Sequence, residues 1–207
     1  MSDTAPVPPR TSTTSTRTLL ARASDDPASG FAALLEKCES RLRVLLHFRL
    51  EGVAPPLVDP DDVLQEVWTE AVRSLGRFEY RGPGSLQRWL AGIMGKKLLH
   101  ARRAAARRPL PVSAVVPGEK EGALLEALSR LRTSASRDAR RRESEERVRR
   151  VLSELPEALR RAVLLRVYEG LSGREAAAVE GVDESTMSLR LKDALRVCAA
   201  RLEGESA

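Results

Sequence analysis

Aromatic side chains are scarce in this sequence: two Trp, two Tyr and three Phe among 207 residues. β-Branched residues are also few, while Ala, Leu, Arg and Glu dominate, a balance that works against sheets and for helices. An all-α protein is expected, long enough for one large domain or two small ones. Cysteine is limited to Cys38 and Cys198, far apart and outside any C-x-x-C or Cys/His cluster. That excludes a disulfide framework or zinc site and fits a reducing compartment. No apolar run approaches the roughly 18 to 20 residues of a membrane span, and Met1 to Thr18 lacks the apolar segment of a signal peptide. A cytoplasmic protein without membrane contact is expected. Histidine occurs only at His47 and His100, and His47 is read as lacking an acid partner at helical spacing. With no nucleotide-binding Gly loop, nucleophile elbow or metal-ligand spacing, neither catalysis nor a metal or cofactor is expected.

Charge is present in both signs, 35 Lys plus Arg against 29 Asp plus Glu, for a formal net of +6. Its distribution is uneven. Residues 1–30 are neutral, 31–76 carry −3, 77–108 carry +8, 109–136 are neutral and 137–207 carry +1. A basic stretch beside an acidic one implies an anion-binding surface next to a surface for something else, with nucleic acid the leading anion and a solvated Arg-rich face the alternative.

Residues 1–27 are rich in Ser, Thr and Pro and have little to bury, which predicts a disordered tail. From Ala28 to Leu50, Phe31, Leu34, Leu35, Leu42, Leu45 and Leu46 recur at helical spacing until Gly52, Pro55 and Pro56. The next helix is well punctuated: Asp59 as N-cap, Pro60 at the first position, Asp61 and Asp62 at the positive end, Gly76 as the stop. Leu64, Val67, Trp68, Ala71 and Leu75 make its core stripe, leaving Asp62, Glu66, Thr69 and Arg73 opposite. After a loop over 77–84, a third helix from Ser85 to about Arg108 turns Leu86, Leu90 and Ile93 inward. Arg88, Lys96, Arg103 and Arg107 then fall within roughly 100° of one another on its other side. Pro109, Pro111, Pro117, Gly118 and Gly122 mark 109–142 as a linker, with a short apolar patch at Leu124 to Leu131 that leaves a helix there open. Arg137 to Arg150 mixes seven Arg with four acids, as a charged helix held by its own i to i+4 pairs would.

Pro156 opens a helix carrying Leu159, Val163 and Val167 on one face, and Gly170 closes it. Ser172-Gly173-Arg174-Glu175 has the form of a capping box, in which hydroxyl and carboxylate satisfy each other's orphaned amides. Gly181 supplies a left-handed turn, and Asp183 caps a longer helix striped by Met187, Leu191, Ala194 or Leu195, and Cys198. A short capped helix, a Gly turn and a longer amphipathic helix form a helix-turn-helix, whose second helix can read base edges in the major groove. Arg190 and Lys192 are placed for phosphates, and Glu184, Ser185, Ser188 and Leu189 are its other solvent-facing candidates. Cys198 is read as a buried small hydrophobe.

Together the two halves resemble the bacterial sigma factors of the extracytoplasmic-function type, in the sigma-70 family. The match lies in Asp59-Pro60-Asp61-Asp62-Val63-Leu64-Gln65-Glu66-Val67-Trp68, then Leu75, Phe78, Ser85, Trp89-Leu90 and Ile93. It resumes in Leu155-Pro156, Gly170-Leu171-Ser172 with Glu175 and Ala177, Gly181-Val182, Thr186-Met187, Arg190-Leu191 and Ala194-Leu195. The resemblance implies two small helical domains on a flexible linker: a second-region bundle over 28–108 and a fourth-region helix-turn-helix over 143–203. It implies that Asp59, Asp61, Asp62, Gln65 and Glu66 dock on the β′ clamp helices of core RNA polymerase, with the β flap a further partner. Arg77, Phe78, Tyr80, Arg81, Arg88, Lys96, Arg103 and Arg107 would bind the minus-ten element and its melted non-template strand, the aromatics stacking on unpaired bases. Ser172, Arg174, Glu184, Ser185, Thr186, Ser188, Leu189, Arg190 and Lys192 would meet the minus-thirty-five duplex. Family members are also commonly held by an anti-sigma factor.

The chain departs from the family at Lys96, His100 and Ser188-Leu189, positions near DNA, so promoter sequence does not transfer. Gly84-Ser85-Leu86 is less aromatic than usual, which shifts base capture toward Phe78 and Tyr80. Trp89 is read as core. A stand-alone helix-turn-helix regulator is the alternative function, although it gives no purpose to the Asp59 to Trp68 face.

Overall fold

The computed structural model describes residues 27–51, 59–106 and 135–204, together with Thr18. The predicted tail apart from Thr18 and Pro27, the apolar patch at Leu124 to Leu131 and Arg107 lie outside the described residues. Among the described residues the structure is all-α, without strands. Seven α-helices follow in order: α1 (Pro27–Leu50), α2 (Pro60–Ser74), α3 (Ser85–Ala106), α4 (Ala135–Ser153), α5 (Glu157–Val163), α6 (Gly173–Glu180) and α7 (Glu184–Gly204).

Helix α2 starts as its sequence dictates. The Asp59 carboxylate accepts the Asp61 amide at 2.8 Å, Pro60 fills the position that needs no donor, and Asp61 and Asp62 lie at the positive end of the helix. Its end differs from expectation. Gly76 does not adopt the left-handed cap; α2 instead tightens into a 3-10 turn, Leu75–Arg77, closed by the Phe78 amide on the Leu75 carbonyl at 2.9 Å. The tighter turn satisfies the final carbonyls without a positive φ, so glycine is not required for the stop.

The first core is built from one face of each of α1, α2 and α3. Leu42, Leu45 and Leu46 meet Leu64, Val67 and Trp68, and Leu90 and Met94 close the third side. Each such fully buried side chain contributes about 1.5–3 kcal/mol. The carbonyl of Arg49, at the end of α1, accepts from Arg102 of α3 at 2.9 Å, which holds these two helix ends together.

The second unit is the predicted capped pair of helices. Ser172 and Glu175 form the capping box in full, and Gly181 takes the left-handed conformation with φ +65°. Ala176 and Ala177 are small and buried, so α6 and α7 cross closely over Met187. Ala194, not Leu195, completes the α7 stripe: Leu195 is 46% exposed. Helix α5 does not run unbroken to Gly170. It passes into a wider π turn over Leu164–Tyr168, with the Glu169 amide reaching back to the Leu164 carbonyl at 2.8 Å. The extra residue reorients the chain before Gly170.

Where the sequence predicts two units on a flexible linker, the structure packs them together through α1. Val44 and Phe48 lie on the opposite side of α1 from its Leu stripe and join Leu152, Leu155, Val163 and Ala194 in a shared core. Tyr168 packs against both this cluster and the first core, and burial pushes its phenol up to about 12.

Candidate nucleic-acid interface

Burial of Val63, Leu64, Val67, Trp68 and Ala71 forces the polar residues of α2 outward. Asp59, Asp61, Asp62, Gln65 and Glu66 are all exposed, as an acidic docking face requires. They differ in how free they are. Asp61 accepts from Arg43 of α1 at 2.8 Å, and Glu66 lies 3.8 Å from Lys97, which also faces Glu70 at 3.7 Å. Asp62 has no ion-pair partner among the described residues.

In the next loop, Arg77, Tyr80 and Arg81 are exposed, and Arg81 pairs with Glu79 at 2.8 Å. Phe78 does not stand free. It packs on Trp89 with ring centroids 4.9 Å apart, and both rings lean on the first core. Trp89 is therefore core, as predicted, and Tyr80 is the aromatic presented to solvent. Gly82 and Gly84 both have positive φ, and the Ser85 hydroxyl donates to the Gly82 carbonyl at 2.7 Å, which fixes the entry to α3. Arg88, Lys96 and Arg103 are exposed along α3. Arg88 is engaged with the second unit, while Lys96 and Arg103 are not in ion pairs among the described residues.

The first turn of α7 is tightly organised. The Asp183 carboxylate accepts the Thr186 amide at 2.8 Å, the Thr186 hydroxyl at 2.7 Å and the Ser185 hydroxyl. Hydrogen bonds from Ser185 and Thr186 hold its carboxyl well below the usual range. Two hydroxyls that the resemblance assigns to the minus-thirty-five duplex thus serve the cap. Ser188 donates to the Glu184 carbonyl at 2.8 Å, and Arg190 lies 3.9 Å from Glu180, which Arg161 holds at 2.6 Å. Glu184 lies over Gly173, where a Cβ would meet its Oε1 at 2.7 Å. Ser172 is exposed but spent on the capping box, while Arg174, Leu189 and Lys192 project into solvent, Leu189 at 60% exposure.

His47 corrects one expectation: its Nε2 lies 3.7 Å from the Glu51 carboxylate, an acid four residues on and just past the helix end. Burial and the charge of Arg149 nonetheless lower its pKa. Sequence reasoning also missed the buried Glu39, which accepts from Arg43 at 3.1 Å and from Arg141 of α4 at 2.7 Å. Its only sequence signal was a carboxylate next to Cys38 on the apolar face of α1. Among the described residues no helix is long and apolar enough to cross a membrane.

An acidic helix face, a basic helix with an aromatic loop and a capped helix-turn-helix define a helical protein that binds both a protein partner and nucleic acid. The sequence relatives agree. The sigma-70, region 4 family matches residues 145–198. RNA polymerase sigma-H factor of Pseudomonas aeruginosa is 34% identical over 135 residues, covering 64% of this chain and 67% of that protein. ECF RNA polymerase sigma-E factor of Escherichia coli K12 is 34% identical over 141 residues, covering 66% and 70%. A solved structure of CnrH in complex with the cytosolic domain of CnrY covers 91% of this chain and 97% of its own, at 23% identity and a TM-score of 0.41. The chain belongs to the extracytoplasmic-function sigma factors of the sigma-70 family.

Proposed function

We propose that this chain is an alternative sigma factor acting in the cytoplasm, in which residues 28–108 bind core RNA polymerase and the minus-ten element and residues 143–203 read the minus-thirty-five element. The observation that carries it is the coexistence in one fold of an exposed acidic α2 face and a capped helix-turn-helix. A stand-alone regulator needs the second and has no use for the first. Asp62 and Glu66 supply the docking charge, and Gln65 a neutral amide that can hydrogen-bond beside them. Arg77, Tyr80, Lys96 and Arg103 take the opened strand: the cations hold phosphates while Tyr80 offers a stacking face. Phe78, already on Trp89, is left out of this role. On the duplex, Arg174 and Lys192 suit phosphates, and Leu189 suits a thymine methyl in the major groove.

The chain itself is assigned no catalytic step; strand opening draws on binding energy rather than ATP. Run-off transcription with purified core enzyme tests the proposal. Transcripts that start at a restricted promoter set only when the chain is added are expected; none from any promoter of the source genome would sink it. Replacing Lys96 and Arg103 with Ala should lower the salt slope of promoter binding by roughly one unit per lost phosphate contact, and an unchanged slope would place the DNA elsewhere.

A further inference from the structure

Two glycines, Gly92 and Gly95, lie in the interior of α3, a helix that runs unbroken from Ser85 to Ala106. Inside a helix glycine costs more than any residue but proline, because the unfolded chain has more freedom to lose at that position. Each glycine therefore needs a reason. Gly95 has one in the fold: a Cβ there would lie 3.4 Å from Nη1 of Arg49, which reaches across from α1 to the Ala91 carbonyl at 2.9 Å. Gly92 has none. It is exposed, a Cβ there would meet nothing within 4 Å, and it is not among the glycines with positive φ. Among the described residues, neither backbone conformation nor packing calls for glycine at 92.

The place of Gly92 on the helix supplies what the fold does not. At about 100° and 1.5 Å per residue, Lys96, Leu99 and Arg103 lie within about 40° of Gly92 around the axis and roughly 6, 11 and 17 Å further along it. All three are exposed, and Leu99, at 47%, is an apolar side chain set between two cations. The line offers in order bare helix backbone, an ammonium, an apolar side chain and a guanidinium. Such a succession suits a strand that is anionic along its backbone and apolar on its bases. Any side chain at 92 would hold that strand off the helix by a methyl or more, whereas glycine lets sugar and phosphate rest on the helix backbone. Paired duplex is a poorer occupant, because its base faces are stacked and closed to Leu99.

We propose that Gly92 is a close-approach point for single-stranded DNA: the opened strand crosses α3 there, its sugar–phosphate chain against the helix backbone, and continues along Lys96, Leu99 and Arg103. The inference rests on the assignment of the α3 stripe to the opened strand. It gives Gly92 an unusual signature, since a side chain at this position should help stability and harm binding. A glycine that served the fold would show the opposite effect on stability.

Gly92→Ala and Gly92→Gln in the full-length chain test this, with Gly95→Ala, whose Cβ faces Arg49, as the control within the same helix. The thermal midpoint of Gly92→Ala should rise by about 1–4 °C, because alanine is the better helix former at an unstrained site. Holoenzyme reconstituted with purified core enzyme should bind a roughly 45-base-pair mixed-sequence duplex containing a premelted bubble about 3- to 10-fold more weakly in Gly92→Ala, and more weakly still in Gly92→Gln. The salt slope should not change, because no charge is lost. Gly95→Ala should bind as wild type, and all variants should bind the fully paired duplex as wild type does. Wild-type affinity for the bubble in both Gly92 variants, or an equal loss on paired duplex, would overturn the close approach. So would a lower thermal midpoint in Gly92→Ala, which would mean that the fold itself needs glycine there. Lys96→Ala separates the two readings: if it lowers the salt slope while the Gly92 variants bind as wild type, only the close approach fails, and if the slope is unchanged the DNA lies elsewhere and both fail.

Discussion

Reversing the charge of Asp62 is the cleanest perturbation of the acidic α2 face. Its neighbours are encumbered: Asp61 accepts from Arg43 at 2.8 Å, so its loss disturbs the α1–α2 packing, and Glu66 faces Lys97 at 3.8 Å. Asp62 is exposed, sits one turn before the buried Val63 and Leu64 are repeated by Val67 and Trp68, and has no ion-pair partner among the described residues. An exposed carboxylate–cation pair contributes about 0.2–1 kcal/mol, and a close pair partly desolvated in an interface about 1.5 kcal/mol or more. Asp62→Arg replaces an attraction of about 0.5–1.5 kcal/mol with repulsion of similar size, so the expected loss is about 1–3 kcal/mol, or roughly 5- to 140-fold in Kd for core polymerase. Fluorescence anisotropy with labelled chain and purified core enzyme reads this directly. The deficit should shrink as salt rises from about 0.05 to 0.5 M, because screening weakens both the attraction lost and the repulsion gained. Helicity should stay at the wild-type value and the thermal midpoint should fall by no more than about a few degrees, since the side chain packs on nothing and loses only its interaction with the positive end of α2. A correctly folded Asp62→Arg that binds core enzyme within about twofold of wild type at low salt would refute the docking face.

Three further outcomes follow from the packing and the ionisable groups. Met187 is fully buried among Ala162, Leu165, Ala176 and Ala177, so Met187→Ala should destabilise the helix-turn-helix by about 2–5 kcal/mol, read by chemical denaturation; a loss under about 1 kcal/mol would mean a core that refills the cavity. Asp183 titrates below its ordinary range because it accepts from Ser185 and Thr186, so its stabilising effect is present above the unfolded carboxylate range and is lost as pH falls below it; Asp183→Ala should therefore be less stable than wild type at pH 7, with the gap closing in acid, and a gap constant with pH would refute the cap. Burial pushes the Cys38 thiol up to about 11, whereas Cys198 is only half-buried, so a thiol reagent at pH 8 should label Cys198 first and Cys38 only on unfolding; rapid native labelling of Cys38 would contradict the α1 core.

Local structure was the legible part of this molecule. The caps at Asp59, Ser172 and Asp183 and the left-handed Gly181 are each fixed by one or two residues acting on amides within a turn, and all four occur where spacing predicts. The stripe of α2 was equally plain, since a period of 3.6 separates Val67 and Trp68 from Asp62 and Glu66 without reference to the rest of the fold. What the period could not supply was the use of polar atoms across distance. Nothing local distinguishes Arg88 on Gly170 from Arg88 on a phosphate. Phe78 shows the same limit for aromatics: eleven positions separate it from Trp89, and only the turn after α2 brings the rings together. The π turn at Leu164–Tyr168 had no sequence signal, because its residues are ordinary helix formers.

One sign of the docked arrangement was present in α1 and reads clearly only with the structure. A helix that buries a single face should be polar opposite it, yet α1 carries Val44 and Phe48 on the side away from Leu42, Leu45 and Leu46, and the whole set is buried. A helix apolar on two sides has two partners. In a chain whose units were independent, Val44 and Phe48 would face water, at a cost of about 1.5–3 kcal/mol each relative to burial. Separation of the units must meet that cost, together with the loss of the Arg49–Glu169, Arg141–Glu39 and Arg88–Glu175 pairs. The same second face of α1 therefore holds the helix-turn-helix unit against the first core.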